Sequence, residues 1–299
     1  MPLTGRDYVI SAGDHQVTVV EIGAGLRSYT HAGRLVTETY PDDVLPPKCA
    51  GGVLVPWPNR LRDGRYVFDG QQFQLPLSEP KARNAIHGLG RWERWRAMEH
   101  QPDAITLRLD IAPQTGWPFE VRVEVRYAVD AARGLAVTAS ATNLGTRRAP
   151  FGAGFHPYFS LGDAALGDVT LTVPAGQRLI LDEVQVPVGE QSVDNTPYDL
   201  RSGKKLGSLR MDDCFTEVST EQGRGVASLA TKAGGALLWF DETYRYLQVF
   251  TPENLIGGRP AVAIEPMTCA PDAFNSGHGL IVLEPGGTWA GTWGIQPLT

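Results

Sequence analysis

Cysteine is scarce. Three occur in 299 residues, Cys49, Cys214 and Cys269, far apart and without a CxxC pair. So low and odd a count excludes a disulfide framework and suits a reducing compartment. Positive charge is also in deficit: 27 Lys and Arg face 33 Asp and Glu, a net charge of −6. Nucleic acid, which needs a basic patch to displace counterions, is therefore not an expected partner. No run of about five or six like charges and no apolar stretch approaching ~18 residues is found. Residues 1–20 lack a basic segment followed by an apolar one. The expectation is a cytoplasmic protein with no membrane segment, monomeric or homodimeric, whose partner is a small polar molecule. Helical periodicity is missing as well. No segment of about 11 residues keeps apolar positions at i, i+3, i+4 and i+7 without a Gly or Pro interrupting it.

What is present is alternation. Ile105, Leu107, Leu109 and Ile111 are apolar, while Thr106, Arg108 and Asp110 between them are polar. Phe119, Val121, Val123, Val125 and Tyr127 alternate likewise with Glu120, Arg122, Glu124 and Arg126. Such a pattern puts one face of a strand on a core and the other in water. Turn residues at 113–118 make these two strands antiparallel neighbours. Further strands are expected at 17–22, 66–68, 135–142, 169–173, 237–240, 247–250, 262–264, 280–283 and 289–293. The 34 glycines and 22 prolines supply the turns between them. Residues 185–205, rich in turn formers, read as a long surface loop near a substrate mouth. No linker or repeat divides the chain, so 1–299 is expected to be one all-β domain, a large antiparallel sandwich.

Three punctuated segments carry candidate chemistry. His156 lies in Phe155-His156-Pro157-Tyr158-Phe159 after Gly152-Ala153-Gly154, where small residues permit close backbone approach and the following proline holds the histidine extended. The same surroundings also suit a histidine packed in an aromatic core. His87 sits in a loop entered through Asn84 and left through Gly88. Glu265 ends the apolar run 261–264, with Pro266 expected to stop the strand there; a buried carboxylate is either paired or functional, because desolvating a lone charge is costly. Asn59 and Arg60 follow Trp57-Pro58 in a rigid, proline-flanked loop, where an aromatic face and planar polar forks suit sugar rings. Asp212 and Asp213 offer carboxylates that accept from hydroxyls.

Taken together, Pro58-Asn59-Arg60 with Arg65-Tyr66, Asn84 to Gly88, His156-Pro157-Tyr158-Phe159, Asp212 before Cys214-Phe215, and Glu265-Pro266 with Pro271-Asp272-Ala273-Phe274-Asn275 resemble the aldose 1-epimerase, or galactose mutarotase-like, family. The resemblance runs from about Gly51 to the C-terminus. It implies a β-supersandwich with a cleft on one sheet, and interconversion of α and β anomers of a free aldose without metal or organic cofactor. In the roles it implies, Glu265 is the base and His156 the acid, while His87, Asp212, Arg60, Asn59 and Trp57 bind sugar. Reference pKa values of about 4.3 and 6.5 suggest an ionised Glu265 facing an imidazolium kept charged by nearby carboxylates. Trp57-Pro58 before Asn59 and Asp213 after Asp212 depart from the family's commoner residues, which leaves the sugar open.

Three other readings compete. One is a hexose 6-phosphate epimerase, with Lys81, Arg83, Arg91 and Arg94 holding the phosphate. Another is a carbohydrate-binding or sensing protein that performs no chemistry. The third is a metal site of His87, His156 and Glu265, which the absence of HxxxH or HxH spacing leaves without a motif.

Overall fold

The structure, a computed structural model, describes residues 2–232, 234–255 and 258–298. The alternating segments fold as strands. Ala104–Ile111 and Val121–Asp130 are antiparallel neighbours, with Ile105 opposite Tyr127 and Ile111 opposite Val121. The other expected strands are present too, among them Gly134–Asn143, Gly234–Asp241, Tyr246–Phe250, Val262–Met267 and Thr288–Leu298. Among the described residues the strands form a 12-stranded sheet, a nine-stranded sheet and three two-stranded ribbons. All named strand pairs are antiparallel. The single α-helix described is the four-residue Ala273–Ser276, so no helix here is long and apolar enough to cross a membrane.

The two large sheets stack face to face, and period-two geometry decides what each face carries. On the inner face of the larger sheet, Phe155, Phe215, Leu247, Val249, Val262 and Ile264 join one core with Val125, Tyr127, Leu238 and Trp293 of the other sheet. The rings of Phe155 and Trp293 meet at 5.0 Å. The intervening residues, His156, Glu265, Gln248 and Phe250, therefore point to the opposite face, away from this core.

Two expectations are corrected. Pro266 does not stop its strand, which runs Val262–Met267 with Pro266 opposite Leu247. The Thr268 N–H donates to the Ala153 carbonyl, and alternation puts the position of the missing Pro266 N–H on that same side. There the neighbouring strand is interrupted between Gly154–Phe155 and Tyr158–Phe159, so no ladder bond is lost. Nor are residues 185–205 one loop. Pro187–Ser192 pairs with Ala175–Leu181 at the sheet edge, and no residue from 185–205 lines the cavity described next.

Candidate active site

Strand register brings the two expected proton-transfer residues together. Gly154 pairs with Met267 and Tyr158 with Ala263, so His156 between them falls opposite Glu265. On the other side of Glu265 stands Gln248, and beyond it Cys214. His156 Nε2 and Glu265 Oε1 are 3.3 Å apart. Both lie at the floor of a cavity of about 260 Å³, the space of some eight or nine waters at ~30 Å³ each and enough for one monosaccharide ring. His156 Nδ1 and Glu265 Oε2 are buried without a hydrogen-bond partner among the described residues. Buried polar atoms are rarely left so. The ring of His156 stacks on Tyr158 at 4.8 Å, which fixes its plane.

The wall opposite is built by two loops locked to each other. The Asn59 N–H donates to His87 Nδ1 at 3.2 Å and the His87 N–H donates to the Asn59 carbonyl at 2.9 Å. Asn59 and His87 both have left-handed backbones, φ 55 and φ 62, a conformation that persists only where its surroundings enforce it. Gly88 makes the turn possible: φ is 70 and a Cβ would lie 2.0 Å from the Val55 carbonyl oxygen. Gly88→Ala is accordingly expected to cost about 1–3 kcal/mol of stability and to raise KM by displacing His87. Thermal unfolding and steady-state kinetics check this.

Burial sets the charge states. With Glu265 only 2% exposed and His156 5%, the environment favours the neutral form of each. Desolvation pushes His156 down to about 3, its own backbone opposing and Arg91 assisting. Desolvation, then Asp212, push Glu265 well above its usual range, against Arg60. The expected imidazolium is thus corrected, because loss of solvent disfavours the charged ring. His87 is driven well below 6.5 by burial first, then by His156, Arg91 and Arg60. Since its Nδ1 accepts from Asn59, the ring proton lies on Nε2. Arg60 is clamped by Glu79 through bonds of 2.9 and 3.0 Å. Burial lowers Arg60, but Glu79, Asp212 and Glu265 more than offset it and keep it charged.

The sequence model of the aldose 1-epimerase family matches residues 6–296. The chain belongs to the aldose 1-epimerase family. It is 33% identical over 286 residues to the uncharacterized protein YihR of Escherichia coli (strain K12), covering 96% of this chain and 91% of that one. It is 28% identical over 239 residues to the aldose 1-epimerase of the same organism, 72% of this chain and 66% of that one. In fold it resembles the aldose epimerase homologue from C. elegans, with a TM-score of 0.86 at 18% identity over 98% of each chain. The galactose mutarotase-like architecture expected from the resemblance is the one observed, and the family match extends through the N-terminal strands as well.

Within this aldose 1-epimerase fold, six of the seven site residues expected from sequence share the cavity: Glu265, His156, His87, Asp212, Arg60 and Asn59. Trp57 does not. It is buried in the main core against Phe274, ring to ring at 5.7 Å, because a Pro-flanked aromatic is worth more to packing here than to solvent. Asp213 turns the other way and pairs with Arg178 at 2.7 Å. Asn84, through which the chain enters the His87 segment, donates to Glu79 and to the Val184 carbonyl. Among the described residues no group of three or more His, Cys, Asp or Glu is placed to hold a metal ion.

Gln248 was not anticipated. It donates to Asp212 Oδ1 at 2.7 Å and accepts from Asn59 Nδ2 at 3.3 Å, linking one wall to the other. A lone amide inside the apolar run Tyr246-Leu247-Gln248-Val249-Phe250 is the signal that marks it. Gln248→Leu leaves both partners short of a bond and is expected to raise KM roughly tenfold, about the worth of a hydrogen bond to a charged group, measured by anomer-exchange kinetics. Phe250 of the same strand also lines the cavity. Lys48, Cys49, Glu79, Ile86 and Arg91 complete the lining. Their nearness depends on how loops dock, which no local pattern encodes.

Proposed function

We propose that this protein is an aldose 1-epimerase, opening and reclosing the ring of a free aldohexose so that its α and β anomers interconvert. The observation that carries this reading is the His156–Glu265 pair, 3.3 Å apart at the cavity floor. Ring opening removes the proton from O1 and delivers one to the ring oxygen. Those two oxygens are bonded to the same carbon, so the acid and base that serve them must be near neighbours. An acid and a base set further apart, on opposite walls, would not suit this reaction.

The pair needs a single proton to work. In one arrangement it is imidazolium and carboxylate; in the other, neutral imidazole and carboxylic acid. Glu265 takes the O1 proton while His156 gives its own to the ring oxygen, and the pair passes from the first arrangement to the second. Burial favours the second, which is the one that accompanies the open-chain aldehyde. Burial favours the neutral pair while the sugar is closed as well, so the ionised arrangement is reached at a cost before ring opening, and the ring-opening step then returns the pair to its favoured state. Rotation about C1–C2 turns the other carbonyl face, and the reverse transfers close the ring. His87, through its Nε2 proton, and Asn59, Arg60, Asp212 and Gln248 supply donors and acceptors for the remaining hydroxyls, with Gln248 and Asn59 holding each other in place.

The experiment is exchange NMR or polarimetry on freshly dissolved α-glucose and α-galactose with an enzyme-free control. Acceleration of exchange supports the reading. Sugar binding without any acceleration would leave a carbohydrate-binding protein in its place.

A further inference from the structure

The cavity carries a charge that a neutral sugar does not answer. Lys48, Arg60 and Arg91 contribute three positive charges, Glu79 and Asp212 two negative ones, and the His156–Glu265 pair, sharing one proton, contributes none. The remainder is one positive charge, in a protein whose overall balance is −6. Arg60 is spoken for by Glu79. The uncompensated cations are Lys48 and Arg91. Arg91 contacts the sulfur of Cys49 at 3.0 Å and the ring of Trp92 at 5.5 Å; Lys48 lies over Phe250 at 5.5 Å. Among the described residues neither forms a close ion pair with a carboxylate, although Glu79 feels the charge of Arg91. Of the cations suspected from sequence near His87, Arg83 pairs with Asp63 and Arg94 with Glu21, Lys81 is exposed, and only Arg91 reaches the cavity.

Both free cations belong to the His156 end. The charge of Arg91 is felt by His156 and His87, while Glu265 feels Asp212 and Arg60. The Lys48 ammonium lies over Phe250, whose ring meets that of Tyr158 at 6.4 Å, and Tyr158 is the residue that stacks on His156. In a pyranose the carbon bearing the C6 substituent is bonded directly to the ring oxygen. If His156 serves that oxygen, C6 projects on the side where Arg91 and Lys48 stand.

From this juxtaposition we infer that the preferred substrate is an aldose carrying a single negative charge on its C6 group, held by Arg91 and Lys48. The inference rests on the epimerase reading and narrows it to a substrate class. A guanidinium and an ammonium in a partly desolvated cavity bind a compact oxyanion by charge-assisted hydrogen bonds. One residual charge matches a carboxylate or sulfate ester better than a dianionic phosphate.

The test compares anomer exchange by the full chain on glucose, glucuronate, glucose 6-sulfate and glucose 6-phosphate, and on the galacto counterparts, each corrected for its enzyme-free rate. The expected result is a kcat/KM for a monoanionic sugar at least about tenfold above that of the neutral one, the worth of one charge-assisted hydrogen bond. In Arg91→Gln and in the exposed Lys48→Gln that advantage should fall by a similar factor, through KM and not kcat. Added salt should raise KM for the anion. The carboxylate and sulfate arms separate the two sources of charge. The inference is overturned if the neutral sugar is exchanged as well as or better than both monoanions, if the phosphate is best, or if both variants keep the wild-type preference. In each of those cases exchange still occurs and the epimerase reading stands. Exchange on none of these sugars would overturn both.

Discussion

Glu265→Gln is expected to reduce kcat for anomer exchange by roughly 10²–10⁴-fold, the range of a lost proton-transfer group, while sugar affinity stays near the wild-type value. The amide matches the carboxyl in shape but takes no proton from O1. What activity remains should depend on His156 alone. Burial holds that imidazole down to about 3, so the residual rate should climb as pH falls, where the wild type stays level. Stability should move the other way. In the wild type the buried carboxyl keeps its proton well above 4.5, whereas the unfolded chain releases it near that value. The native state then binds more protons than the unfolded one, and its stability declines as pH rises through that window. Glutamine has no such liability, so the melting temperature of the variant minus that of the wild type should increase with pH from about 4.5 upward. A variant retaining most of the wild-type rate would remove Glu265 from the chemistry; a difference in melting temperature that ignores pH would remove the raised carboxyl from the argument.

His156 and Glu265 were visible in the sequence because each is a polar residue set among apolar ones, Glu265 within its strand and His156 in the short break between two strand pieces. The family resemblance placed them in one cleft, and strand register set them opposite each other. Other parts were hidden for identifiable reasons. Trp57 looked like a sugar platform because a Pro-flanked aromatic in a loop has the same local signature whether it faces solvent or, as here, Phe274. Pro266 looked like a strand end because nothing local reveals that its missing N–H faces an interrupted neighbour. The strand Asp212–Val218 escaped notice behind its two leading aspartates. Lys48, Glu79 and Arg91 are loop residues brought to the cavity by chain folding alone. Charge states were the hardest to read: reference values gave an imidazolium, and only the depth of burial shows that solvent loss dominates.

His156→Asn should be comparably damaging, with kcat down roughly 10²–10⁴-fold, and its pH dependence should mirror that of Glu265→Gln. In the wild type one proton is shared by the pair. The acid limb of kcat/KM is expected near the His156 value of about 3 and the alkaline limb only where Glu265, raised by burial, gives up its proton. Between them lies a broad plateau with no inflection near 6.5, the usual imidazole value, because the group that titrates there in water does not titrate there in this site. Without His156 the proton on Glu265 has nowhere to move before the sugar arrives. The carboxyl then stays protonated and idle as a base across neutral pH, and the residual rate should rise with pH as it ionises. Exchange NMR across pH on wild type and variant, each against its own enzyme-free blank, reads this directly. A variant profile as flat as the plateau would mean that the two side chains do not share a proton, and a wild-type inflection at 6.5 would mean that His156 is solvated in the working enzyme. Either outcome would dismantle the coupling on which ring opening by this pair depends.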